Sequence, residues 1–111
     1  MMAIGKTVGK NLVAATDNVM FEVRANTRAN VVLLYIANND INNKKISVKW
    51  YDASANATYD IANGYSLTAN QFIKLDGSYI RLDAGDKLIC NPEAGSVMSS
   101  IVTFEETENN K

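Results

Sequence analysis

The sequence predicts an all-β fold, a single antiparallel β-sandwich or jelly roll of about eight strands with a flexible N-terminal arm. Three observations predict it. Short segments in which apolar and polar side chains alternate recur from Asn18 to Glu105, the two-residue period of a sheet with one covered face. Clusters of Asn, Asp and Gly separate these segments at roughly ten-residue spacing, and those residues accept left-handed backbone or bond to their own main chain. No convincing stretch carries the 3.6-residue apolar period of a helix. At 111 residues, 47% of them hydrophobic, the chain is expected to be one domain over 1–111 with a sizeable core.

Taken in order, residues 1–10, with Gly5 and Gly9, read as the arm. Asn11 to Thr16, carrying Leu12 and Val13, is a candidate short strand. In Asn18 to Arg24 the residues Val19, Phe21 and Val23 alternate with Met20, Glu22 and Arg24, which makes this the first secure strand. Val31 to Ala37 is almost continuously apolar, as expected of a central strand covered on both faces or clamped at an interface. It runs into the dense turn signal Asn38 to Asn43. Ile46 to Asp52, with Ile46, Val48 and Trp50 on one face, is expected to be its hairpin partner.

Ala57 to Ile61 and Tyr65 to Leu67 flank Asn63-Gly64, a tight-turn candidate. Gln71 to Leu75 and Tyr79 to Leu82 flank Asp76-Gly77, the strongest short hairpin signal in the chain. Asp83 to Asp86 turns into Lys87 to Asn91, Pro92 and Gly95 break that strand, and Val97 to Glu105 closes the domain. Residues 106–111 are expected to be a frayed polar tail.

Composition removes most chemistry. There is no histidine, so a triad of the serine type lacks its base. The single cysteine, Cys90, lies in an apolar strand and reads as a buried structural thiol, with no partner for an internal disulfide. The acidic pairs Asp83 with Asp86, Asp52 with Asp60 and Glu105 with Glu106 are near in sequence, but glycosidase chemistry needs two carboxylates facing across a cleft. Asp83 and Asp86 therefore read as turn residues. Asn38, Asp40 and Asn42 have the spacing of an oxygen-rich calcium loop, without its glycine, its terminal Glu or its charge. No metal site, cofactor or enzymatic activity is expected.

Eleven basic and twelve acidic residues leave a net charge of -1, with no footprint for a phosphate backbone. Lys44 and Lys45 read as a solvated strand entrance. No apolar run is long enough to span a bilayer, and the first residues lack the layout of a signal peptide, so neither nucleic acid nor membrane is expected as a partner. Among the aromatics, Trp50 is expected in the core, while Tyr51, on the opposite face, and Tyr79 are the candidate contact residues. Asn56-Ala57-Thr58 matches a glycosylation acceptor and reads as a turn.

The segment order resembles that of small virion structural proteins of tailed bacteriophages. The resemblance rests on the apolar strand and polar turn of Val31 to Asn39, on Ser47-Val48-Lys49-Trp50-Tyr51-Asp52, on Leu82-Asp83-Ala84-Gly85-Asp86-Lys87-Leu88, and on the terminal strand Ser99 to Glu105. It covers Val19 to Glu106. It implies a β-sandwich docked on a phage particle, assembled in the host cytoplasm, either as a capsid decoration (cement) protein on the major coat protein or as a neck, tail or fibre component, with self-association as a homo-oligomer a further expectation. The arm, with Lys6 and Lys10, would then order across neighbouring subunits, and its removal would leave the fold intact. A carbohydrate-binding or host-adhesion module on the same sandwich, using Tyr51 and Tyr79, is the alternative.

Overall fold

The computed structural model describes residues 3–109; Gly77, Ser78 and Tyr79 are placed within a strand, but their side chains lie outside the described part. The alternating segments become eight strands: β1 (Ile4–Leu12), β2 (Asn18–Glu22), β3 (Thr27–Asn38), β4 (Lys44–Asp52), β5 (Ala57–Leu67), β6 (Phe72–Asp83), β7 (Lys87–Pro92) and β8 (Met98–Glu108). They form two four-stranded antiparallel sheets, β1-β8-β3-β6 and β2-β7-β4-β5. The pairing is nested, β1 with β8, β2 with β7, β3 with β6 and β4 with β5. Contacts of β3 with β8 and of β4 with β7 join these pairs into sheets. One long hairpin, tipped by β4 and β5, is thus rolled over two layers, which is the jelly roll of the two expected architectures.

The two-residue period decides what is inside. Ala29, Val31, Leu34 and Ile36 of β3 and Met98, Val102 and Phe104 of β8 meet Phe21, Ile46, Val48, Leu88 and Cys90 of the other sheet in one buried cluster. Phe21 and Phe104 stack across the two layers, with ring centroids 3.9 Å apart and planes 6° from parallel. Trp50 is half-buried and packs against this core, as its phase in β4 requires.

Several expectations need correction. Ile4–Leu12 is not an arm: it forms β1, registered on β8 from Ile4 opposite Glu106 to Leu12 opposite Met98. The free edge of β8 offers a row of backbone donors and acceptors, and the buried Leu12 anchors the strand's far end. Gly5 and Gly9 take no left-handed conformation that would break it. Nor does the chain fray at 106, since β8 continues to Glu108 and the Asn109 amide donates to the Asn26 carbonyl at 2.7 Å. Met1, Met2, Asn110 and Lys111 lie outside the described residues.

β3 and β4 are not a hairpin, because they belong to different sheets. Asn38 to Asn43 instead turns the chain from one layer to the other. Asn38 is 1% exposed there, donating from Nδ2 to the carbonyls of Asn42 (3.0 Å) and Leu67 (3.1 Å) and accepting the Asp40 amide at 3.0 Å. β3 is also covered on one face only, with Val32 exposed and Leu33 and Tyr35 half-buried outside.

Both expected two-residue turns lie inside continuous strands. Asn63-Gly64 is a bulge in β5: the register passes from Ile46 opposite Tyr65 to Val48 opposite Ala62, so Ser47 faces two residues. Gly64 takes φ +64° and its amide donates to Ser47 Oγ at 3.0 Å, the conformation that a glycine bulge needs. Around Asp76-Gly77 the register moves from Leu33 opposite Asp76 to Val31 opposite Ile80, an irregularity inside β6. In each case pairing with a long neighbouring strand overrides the local turn preference.

Candidate interaction surface

The sequence-selected residues do not converge. Lys6 and Lys10 stand on β1 in the same phase as Val8 and Leu12, on the side of the sheet that faces the core. Lys6 Nζ pairs with Glu106 Oε1 at 2.9 Å, and Arg24 meets the same oxygen at 3.1 Å. Burial pushes the Glu106 carboxyl up, and the hydrogen bonds and charges of Lys6 and Arg24 together outweigh it, so it lies below the usual carboxylate range. Lys10 is exposed opposite Ser100. Tyr51 lies on the outside of the other sheet, with its hydroxyl on Asn56 Oδ1 at 2.8 Å and Lys87 Nζ 5.3 Å from its ring centre. The side chain of Tyr79 lies outside the described residues.

Of the acidic pairs, Asp86 and Asp52 hold turns. Asp86, 2% exposed, accepts from Trp50 Nε1 (3.1 Å) and the amides of Ala53 and Asp83 (2.9 Å each). Its own amide closes the turn on the Asp83 carbonyl at 2.9 Å, with Gly85 at φ +87°. Asp52 caps its own turn through the Ser54 amide and hydroxyl, while Asp60 stands opposite Lys49. Glu105 is exposed and Glu106 buried, on opposite faces of β8. In the β3–β4 corner, Asp40 Oδ1 is taken by the Asn42 amide at 2.9 Å. Among the described residues no three His, Cys, Asp or Glu side chains gather as a metal-binding group. Burial raises the Cys90 thiol to about 11, against a weaker lowering by Ser100, so it is neither nucleophile nor ready ligand.

What the fold does assemble is an apolar band on the outer face of the β1-β8-β3-β6 sheet. Register places Gly9 beside Ile101 and Ile101 beside Tyr35. Tyr35 stacks on Phe72 of β6 with centroids 4.8 Å apart. Ile101 is 47% and Phe72 52% exposed. The outward row of β1 is Gly5, Thr7, Gly9 and Asn11, low side chains that leave this flank flat. Beyond it the second edge of β1 is open among the described residues. Edges of this kind template further strands, and the two lysines on the core-side row are a common way to blunt them. Sequence reading overlooked Ile101 and Phe72, although Ile101 shares its phase in β8 with Ser99, Thr103 and Glu105, a visible break in polar alternation.

No protein-family model and no curated protein matches the sequence. Solved structures share its fold. A Bacillus endospore appendage protein, of a family of disulfide-linked pili, is similar with a TM-score of 0.51 and 11% identity over 97% of this chain and 89% of its own. PirA is similar with a TM-score of 0.52 and 11% identity over 93% of this chain and 92% of its own. A chain of infectious bursal disease virus, Gx strain, is similar with a TM-score of 0.52 and 13% identity; the match covers 93% of this chain and only 32% of the viral one. At these identities the likeness is one of fold: this chain shares an antiparallel β-sandwich with proteins of viral particles and pili.

Proposed function

We propose that the chain is a non-enzymatic structural protein of a bacteriophage virion, a capsid decoration protein that binds the assembled coat lattice and braces it. The observation that carries this reading is the exposed apolar band of Ile101, Tyr35 and Phe72 beside the flat flank and open edge of β1. An apolar patch bordered by strand edges is suited to lying against other β-rich subunits. A protein that binds the lattice better than free coat protein adds its binding energy to particle stability by linkage. The resemblance in segment order to tailed-phage virion proteins supports the reading, as does the fold shared with a protein of a viral particle. Disulfide-linked assembly of the pilus kind suits this chain less, because its one thiol is buried.

A neck, tail or fibre position would use the same surface, and copy number separates the two. Quantitative mass spectrometry of purified phage particles against the major coat protein is expected to give hundreds of copies. About a dozen or fewer would move the protein to the neck, tail or fibre, as the symmetry of those parts requires, and absence from the particle would overturn the virion reading. The glycan-binding alternative is weakened by Tyr51, whose hydroxyl and ring are already engaged by Asn56 and Lys87.

A further inference from the structure

The sandwich holds β1 through few side chains and a strained turn. The strand pairs with β8 alone; Leu12 is its one buried residue and Val8 is half-buried. Its polar anchors also lie on β8, Lys6 on Glu106 and the Thr7 hydroxyl 3.2 Å from that of Thr103. Only residues 13–17 join it to the rest of the described chain. In that turn Ala15 takes φ +56°, where the Cβ of any residue but glycine crowds the backbone. Such a conformation persists only where neighbours impose it. Here Asn18 does so: its Oδ1 accepts the Val13 amide at 3.0 Å, and its Nδ2 donates to the carbonyls of Val13 (3.0 Å), Thr16 (2.9 Å) and Cys90 (3.1 Å). The Ala15 amide donates to the Pro92 carbonyl at 2.8 Å.

We infer that β1 exchanges between copies of this chain: the β1 of one molecule lies on β8 of a second, and the reverse, giving a dimer swapped at this strand. The register, the seat of Leu12 and the pair of Lys6 with Glu106 are the same whichever molecule supplies the strand. Closed and swapped forms therefore differ in the turn and in the entropy of association. Extending residues 13–17 returns Ala15 to ordinary backbone and gives up the hydrogen bonds of Asn18 to Val13 and Thr16. Strain favours exchange, Asn18 opposes it, and protein concentration sets the balance. The exchange uses neither the apolar band nor any coat protein.

The test co-refolds two variants of the full chain, Thr7→Cys and Thr103→Cys, from urea under reducing conditions, and then oxidises the folded mixture mildly. The two positions face each other across the register of β1 and β8, so exchange sets the new thiols of two different molecules side by side. Cys90 is buried and stays out of the reaction. A covalent heterodimer linked between positions 7 and 103, mapped by mass spectrometry, is expected as the dominant product, its yield rising with protein concentration. Asn18→Ala, placed in both chains, should raise that yield about fivefold, and Ala15→Gly should lower it to a similar degree. Absence of the link at every concentration would overturn the exchange. So would a link between 7 and 103 no more abundant than links of 7 to 7 and 103 to 103, the product of random collision between exposed thiols. An unchanged yield in either Asn18→Ala or Ala15→Gly would overturn the control exerted by the turn.

Discussion

Trp50 on β4 donates its indole N–H to Asp86 Oδ2 at 3.1 Å, fastening the half-buried ring to the turn before β7. The same carboxylate holds the amides of Ala53 and Asp83, so one acidic side chain ties together the end of β4, the end of β6 and the start of β7. Asp86→Ala leaves three donors without their acceptor and is expected to cost about 3 kcal/mol or more, with Asp86→Asn costing roughly half as much. Urea denaturation of the two variants checks both values and their order.

Glu106 gives stability a definite pH dependence. Its folded pKa lies below the ordinary value of 4.5, so its contribution is complete above about pH 4.5 and is lost as pH falls through the lower folded value. Asp17, lowered from 3.8 chiefly by the hydrogen bond from Asn91, acts with the same sign slightly further into acid. Denaturation midpoints measured from pH 7 to pH 3 should decline for the parent chain and decline less for Glu106→Gln. Parallel curves would show that the Lys6–Glu106–Arg24 cluster carries no linkage.

Removal of residues 1–10 is expected to damage the fold, contrary to the reading of that segment as an arm. It uncovers one edge of β8 along most of the β1 register and strips Lys6 from a carboxylate that is 5% exposed. A loss of about 2 kcal/mol or more follows from the lost charged hydrogen bond and newly bare backbone. Thermal melting of the truncated chain decides it: an unchanged midpoint would mean that β1 contributes nothing to stability.

Ile101→Asp should separate docking from folding. The side chain is on the solvent face of β8, where substitutions usually change stability by about 0.5 kcal/mol or less. Co-sedimentation with coat lattices should fall by about tenfold or more if the band is the contact, since central apolar anchors carry most of such energy. Undiminished binding of a folded Ile101→Asp variant would remove the band from the interface.

Cys90 is expected to resist chemistry while the chain is folded. With its thiol near 11 and no exposure, it should stay unmodified by iodoacetamide at pH 8 and form no disulfide dimer under mild oxidation. Intact-mass spectrometry, with a urea-unfolded sample as the reactive reference, measures this directly.

The period-2 alternation carried the fold class and most of the core: Phe21, Val23, Ile46, Val48, Leu88 and Phe104 are buried where their phase places them. What it could not carry was connectivity. Asp76-Gly77 and Asn63-Gly64 have the local chemistry of tight turns, yet each is enclosed in a strand of eleven or twelve residues because a long partner strand lies alongside. The polar run Asn38 to Asn43 was legible as a turn, but whether a turn stays in one sheet or crosses to the other depends on partners that are distant in the chain. The same holds for the surface. Lys6 and Tyr51 look free in sequence and are engaged in the fold, by Glu106 and Asn56, through contacts that only tertiary packing creates. The apolar band likewise joins four strands, and only the anomalous phase of Ile101 announced it.

The nested pairing also orders the events of synthesis. Among the described residues only β4 and β5 are joined in sequence and paired in space; β1 waits for β8, with six strands between them in the chain. As the polypeptide leaves the ribosome, the β4–β5 hairpin forms at little loop entropy, while β1 has no partner until β8 has been made. During that interval its edge and the apolar faces of β2 and β3 are uncovered, the state in which β-rich chains aggregate most readily. Yield of soluble protein should therefore depend on elongation rate and temperature more steeply than the finished fold's stability alone would dictate.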